Sequence, residues 1–283
     1  MDPSEKTGIK LSCLPVSFFS SFSAGTMKLD EWFSAAAGMG LQYVDLSSMH
    51  ISMHTPVNLH NIKNAMENAG VELCMVCTYP DFSHPDAVQR ERELIYLKHD
   101  IAVASQLGAK FIRILAGQKH EKTSRKDGIN WVVDGFLNAE PVAEKLGVTL
   151  VFENHSKPGA WHFPDFSHPT DIFLEIVHRI KNTGIGINFD TINTELDQND
   201  SLKVLREIIG MVRTVHVADS STTDKLNPCV IGRGKAPIRE IKNALETAGF
   251  NGFYCIEEAS GTGVTGIEAA VNYMRSLLNG DNR

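Results

Sequence analysis

Cysteine is scarce and odd in number, with five among 283 residues at Cys13, Cys74, Cys77, Cys229 and Cys255. So few thiols in a chain this long do not make a disulfide scaffold, and they point to reduced cysteines and a cytoplasmic setting. Long apolar runs are also missing; none reaches the roughly 20 residues of a membrane helix, so no membrane is expected as a partner. Residues 1–6 are polar and acidic, with no signal-peptide core behind them. Positive charge is in deficit, since 27 Lys and Arg against 34 Asp and Glu leave a net charge of −7. Duplex binding rests on a basic footprint, so nucleic acid is not expected either. No linker, low-complexity stretch or composition shift divides the chain, and residues 1–283 read as one domain. A chain of this length buries about 70% of its surface on folding and needs no metal or disulfide staple.

What the sequence has is alternation. Short β-rich apolar runs at residues 9–17, 43–47, 73–79, 111–117, 149–155, 185–191, 212–219 and 253–259 predict strands. Helix-period segments at 28–38, 59–69, 86–107, 128–146, 169–181, 201–209, 238–248 and 265–278 lie between them. Several helices open after Pro or a small polar residue, and many close at Gly just before the next strand. Eight such pairs at this length predict an α/β fold, a single (β/α)8 TIM barrel. Barrel enzymes keep their chemistry at the C-terminal strand ends, so those ends are where functional residues are sought.

The last four strands are apolar until their ends, where each shows an acid or a His. Alternate strand residues share a face. Glu153 goes with Val151, Asp190 with Asn188, His216 with Thr214 and Glu257 with Cys255, so all four can point at one spot above the barrel mouth. A solvated strand end explains any one of them; four in succession argue for a site. Three carboxylates would repel one another there, and one divalent ion removes that repulsion. The O/N donor set suits Mn, Co or Mg, with Zn also possible.

These residues carry a specific resemblance. Glu153-Asn154-His155, Gly186-Ile187-Asn188-Phe189-Asp190-Thr191, His216-Val217-Ala218-Asp219, Ile231-Gly232-Arg233-Gly234 and Gly249-Phe250-Asn251-Gly252 before Ile256-Glu257 recur in this order in the xylose isomerase-like barrel superfamily. The chain resembles its sugar isomerases and epimerases over nearly all its length, the ketose 3-epimerases and hydroxypyruvate isomerase in particular. The resemblance implies that Glu153, Asp190, His216 and Glu257 are metal ligands. It implies a proton moved next to a carbonyl through a metal-stabilised enediolate, with Glu153 and Glu257 as the acid/base pair. It also matches Asp45 to an acidic position common at strand two, and implies a small carbohydrate or keto-acid substrate and a homo-oligomer. A lyase or dehydratase acting on a keto-sugar, an inosose or a dehydroshikimate-like acid shares the first step and stays open. The apurinic endonucleases of the superfamily carry a His where this chain has Asn193, and the acidic charge also speaks against that branch. A non-catalytic binding barrel would not need both Glu153 and Glu257.

Further candidates surround these four. His155, Asn193, Arg233, Trp161 and His162 are taken as substrate-binding. Trp161 and His162 lie in the long segment 156–168, read either as a lid or as a loop packed on its own chain or a second subunit. Asp219 is read as a partner that orients His216, or else as a helix N-cap. Arg113, within strand four, pairs with a barrel acid or reaches a substrate anion. His50 and His54 are rim candidates. Glu258 faces away from Glu257 by parity. The Cys74-Cys77 spacing puts the two sulfurs on opposite sides of strand three, so they read as buried thiols rather than a redox or zinc pair.

Overall fold

The computed structural model describes residues 10–280, and over them every expected strand is followed by its helix. Residues 1–6, and Ile9 at the head of the first expected strand, lie outside the described residues. The strands are β1 (Leu11–Leu14), β2 (Tyr43–Ser47), β3 (Glu72–Cys77), β4 (Phe111–Ile114), β5 (Thr149–Glu153), β6 (Gly186–Asp190), β7 (Val212–Val217) and β8 (Phe253–Glu257). The α-helices are α1 (Phe19–Ser23), α2 (Leu29–Gly38), α3 (Pro56–Ala69), α4 (Ala87–Leu107), α5 (Arg125–Lys145), α6 (Thr170–Ile180), α7 (Asn193–Leu196), α8 (Ser201–Ile208), α9 (Ile238–Thr247) and α10 (Val264–Leu278). Short turns α1 and α7 carry too few apolar positions to show a period, and the sequence did not announce them. Most strands stop a residue or a few before their expected ends, because residues such as His155 and Ala259 leave the ladder to line a cavity.

Local chemistry sets the helix ends. Thr55 accepts from the amide of Asn58, with Pro56 opening α3, and Asp86 accepts from the amide of Val88 at the start of α4. Each supplies an oxygen to a backbone donor that the helix itself leaves unpaired. Gly70 and Gly108 close these helices at φ of 74° and 86°, the left-handed region where a side chain is strained.

The sheet runs in the order β1-β8-β7-β6-β5-β4-β3-β2, with every ladder parallel. It curls into a nearly closed barrel. Between β1 and β2 the link is a side-chain one, in which Ser12 Oγ donates to Asp45 Oδ2 at 2.6 Å. Alternate residues divide the core in two. Leu14, Cys77, Val151 and Cys255 fill the barrel interior, while Phe152, Phe189, Val215 and Ile256 face the helices. Phe152 lies with its ring centroid 5.1 Å from both Phe136 of α5 and Phe173 of α6. Truncating such a buried ring to Ala costs about 3–5 kcal/mol.

One parity expectation needs correction. Val44 pairs with Leu73 but Asp45 pairs with Met75, so Cys74 is an extra residue in β3. That bulge cancels the alternation between Cys74 and Cys77, and both thiols enter the barrel interior. They still keep different company: Cys74 is grouped with Asp45 and Cys255, Cys77 with His216. All five cysteines are free. Among the described residues, no helix is long and apolar enough to cross a membrane.

Candidate metal centre

The last four strands bring their end residues together at one mouth of the barrel. Asp190 of β6 stands beside His216 of β7, and His216 beside Cys255 of β8. Glu153 and Glu257 follow Val151 and Cys255 on the inner face. His216 Nδ1 lies 3.2 Å from Glu153 Oε1 and 3.3 Å from Glu257 Oε2. One ligand atom from each of Glu153, Asp190, His216 and Glu257 falls within 4.8 Å of all the others. Donors about 2.0–2.2 Å from one ion stand roughly 3–3.5 Å apart when adjacent, so the spacing suits a shared ion.

Hydrogen bonding tests the fit further. Asp190 Oδ1 accepts from the amides of Ile192 and Asn193, both at 2.8 Å, while its buried Oδ2 has no hydrogen-bond partner. Glu153 Oε2 is also buried without a hydrogen bond, although Arg113 stands beside it. A buried carboxylate oxygen left bare is costly, and a cation removes that cost. The donor set and the bare Asp190 oxygen fit a divalent ion.

Charge tells the same story. Burial, then the charges of Glu257 and Glu153, push Asp190 well above the usual carboxylate range. Burial also pushes Glu153 up, but the charges of His216 and Arg113 outweigh it and hold the group at about 2. For Glu257 burial again raises, and the His216 charge reverses it to a net lowering. His216 runs the other way: burial pulls it down, and Glu153 with Glu257 drives it well up. Three acids in one dry spot thus call for positive charge.

Part of that charge is Arg113 of β4, whose side chain is 1% exposed. Its Nε stands 3.1 Å from Glu153 Oε2, an ion pair without hydrogen-bond alignment. Its guanidinium lies 4.8 Å from the Tyr79 ring centroid. Glu258, next to Glu257, faces away as parity requires, and its carboxylate takes Ser17 Oγ and the amide of Ser260.

Above the four residues opens a cavity of about 570 Å³. Asp190 and Glu257 are on its wall, with Arg113, His155, Asn193, His50, Tyr79 and Phe19 among the others. Glu153 and His216 are fully buried behind that wall. Tyr79 was missed in the sequence, although it follows inward-facing Cys77 by two. Phe19 sits on α1, which left no periodic signal.

Four expected contributors, Arg233, Trp161, His162 and His54, stand off the cavity wall, and Asp219 is on it in another role. Arg233 is exposed and Trp161 and His162 are off the cavity wall; only the segment's Ser156–Ala160 portion reaches it. The aromatic half of that segment packs on its own chain. The amides of His162 and Phe163 donate to Gln118 Oε1, and the amide of Phe166 to the Gly117 carbonyl. Asp219 neither orients His216 nor caps a helix. Its carboxylate accepts from the amides of Ser220, Gly232, Gly234 and Ala236 at 2.8–3.0 Å, which uses both oxygens to fold the 219–236 loop. His50 is on the cavity wall, whereas His54 is off it, against His99.

Residues 33–277 match the sequence profile described as the xylose isomerase-like TIM barrel. The chain belongs to this family. Within the xylose isomerase-like barrels it is similar to a Streptomyces coelicolor protein named, provisionally, as a hydroxypyruvate isomerase. The two are 25% identical over 242 residues, covering 81% of this chain and 84% of the other. That relationship supports an enzyme of the isomerase kind. The same barrel appears in D-psicose 3-epimerase from Clostridium cellulolyticum H10, solved with D-tagatose. Identity is 15%, coverage 95% and 99%, and the TM-score 0.76. It appears again in the IOLI protein, solved with a bound zinc atom, at 15% identity, coverage of 96% and 99% and a TM-score of 0.79.

Proposed function

We propose that this family member is a divalent-metal-dependent isomerase or epimerase acting on a small α-hydroxy-carbonyl compound, a sugar or a keto acid. The convergence of Glu153, Asp190, His216 and Glu257 below one cavity carries this reading. The isomerase name of the Streptomyces relative and the zinc atom of the IOLI protein agree with it.

Glu153, Asp190, His216 and Glu257 would hold the ion. When bound, it supplies positive charge to offset the negative charge that develops as a proton leaves the carbon beside a carbonyl. Glu257 sits on the cavity wall and is placed to take that proton and give it back. Glu153 is its counterpart where a proton must return on the other face. His155 and Asn193 offer polar atoms to substrate hydroxyls, and Phe19 and Tyr79 exclude water above them. Five free thiols suit a cytoplasmic enzyme.

The test joins elemental analysis to NMR. Wild type should carry a divalent ion at the strand-end site that His216→Ala loses. Incubation with D-psicose and with hydroxypyruvate in D2O should show deuterium entering the substrate and an isomer of unchanged skeleton. Loss of water or another group would make the enzyme a lyase, and absence of both metal and exchange would overturn the proposal.

A further inference from the structure

Two groups of potential ligands play no part in the proposed reaction; one, Asp45 with Cys74 and Cys255, is shut inside the barrel, and the other is on the outside of the molecule. His54 lies between β2 and α3, and His99 with Asp100 lies within the 21-residue helix α4. The two imidazoles face each other nitrogen to nitrogen, with Nδ1 of His54 3.2 Å from Nδ1 of His99. Their ring centroids are 4.7 Å apart at an interplanar angle of 26°. A carboxylate oxygen of Asp100 lies within 4.8 Å of one nitrogen on each ring.

We propose that His54, His99 and Asp100 form a second divalent-metal site, of the zinc type, that fastens the β2–α3 connection to α4. Zinc–nitrogen bonds of about 2.0–2.1 Å place two tetrahedral ligands roughly 3.3–3.4 Å apart, and the His54–His99 spacing comes close to that edge. Two imidazoles with one carboxylate are a donor set for Zn²⁺, Co²⁺ or Ni²⁺ rather than for Mg²⁺ or Ca²⁺, which prefer oxygen. Three protein ligands leave a fourth position to water.

The two imidazoles meet through a single Nδ1–Nδ1 hydrogen bond, in which one ring donates and the other accepts. Asp100 is partly buried, and no hydrogen-bond donor among the described residues reaches its carboxylate.

The ligands are also held in advance. His54 is flanked by Met53, whose carbonyl accepts from Asn58 Nδ2 at 2.7 Å, and by Thr55, the cap of α3. His99 and Asp100 are fixed by the middle of a long helix. Preset ligands lose little freedom when an ion binds. Neither histidine lines the large cavity, so occupancy there does not depend on the catalytic proposal.

The test counts ions on chelator-stripped protein by equilibrium dialysis with Zn²⁺, and follows Co²⁺ absorption in parallel. Wild type should bind one equivalent more than His99→Ala and one more than His54→Ala. His60→Ala removes another surface imidazole, which pairs with Asn64, and should bind as wild type does. In the His216→Ala background, Zn²⁺ should still raise Tm, and adding His99→Ala should abolish the rise. Equal stoichiometry in wild type and His99→Ala would overturn the site, as would an equal loss in His60→Ala. The count lost with His99 is independent of the count lost with His216, so failure of one site is distinct from failure of the other.

Discussion

Arg113 Nε lies 3.1 Å from Glu153 Oε2, with both side chains shut off from solvent at 1% and 0% exposure. A buried pair of this kind is weak evidence of net stabilisation, but breaking it by removing one partner strands the other charge. We expect Arg113→Met to cost about 3–5 kcal/mol in the metal-free protein, read by urea unfolding. A loss under about 1 kcal/mol would mean that Arg113 is not the cation that Glu153 relies on.

The same pair makes the two glutamates unequal. Glu257 is on the cavity wall, whereas Glu153 is fully buried with one oxygen facing Arg113. Solvent exchange at a substrate carbon needs one proton-transfer group, and inversion needs two. Glu257→Gln should lower exchange by at least about 100-fold. Glu153→Gln, compared at equal metal content, should retain exchange and lose inversion. The opposite order would make Glu153 the group that meets substrate first.

Asp165 predicts a pH effect on stability. Burial raises its carboxyl from 3.8 to about 8, against the pull of the Ser167 amide and hydroxyl. The folded form therefore keeps a proton that the unfolded chain releases near pH 4. Its contribution is full below that pH and is lost as pH rises toward 8, at about 1.4 kcal/mol per pH unit. Urea titrations from pH 5 to 9 should show that Asp165→Asn removes this slope. Parallel wild-type and variant curves would mean that Asp165 is ionised in the folded protein.

The Asp219 carboxylate collects four backbone N–H groups, and the loop it folds carries Leu226 and Pro228 to the cavity wall. Gly234 belongs to the same device, since a Cβ there would come within 2.2 Å of Asp219 Oδ1. Asp219→Ala leaves those donors without an acceptor and should cost at least about 2 kcal/mol. It should also raise KM more than it lowers kcat, because the loop shapes the wall and stays clear of the proton path. An unchanged KM would detach the loop from substrate binding.

The barrel was legible in the chain because its signals are periodic and local: apolar strands of one length, caps at helix starts and Gly at their ends. The four strand-end residues were legible for a related reason, since a polar side chain closing an apolar strand at the barrel mouth has one direction to face. Loops gave less. Trp161 and His162 looked like cavity residues because aromatics in a long loop must be covered, and the sequence does not say by what; Gln118 decides it. Asp219 looked like a partner of His216 because of proximity in sequence, while its acceptors' donors lie up to 17 residues further on. The Cys74 bulge defeats any parity count, for an extra residue in a strand leaves no mark in composition.

The side-chain seam at Ser12 and Asp45 has a consequence for how the molecule is made. Among the described residues β1 has its one ladder with β8, where Leu11 meets Tyr254 and Leu14 meets Glu257. During synthesis from the N-terminus, the first strand waits without a backbone partner until nearly the whole chain has emerged. The last strand to arrive carries Glu257. Closure of the barrel and completion of the proposed ligand set are therefore a single late event, and a ribosome-bound chain that lacks its final strand has neither.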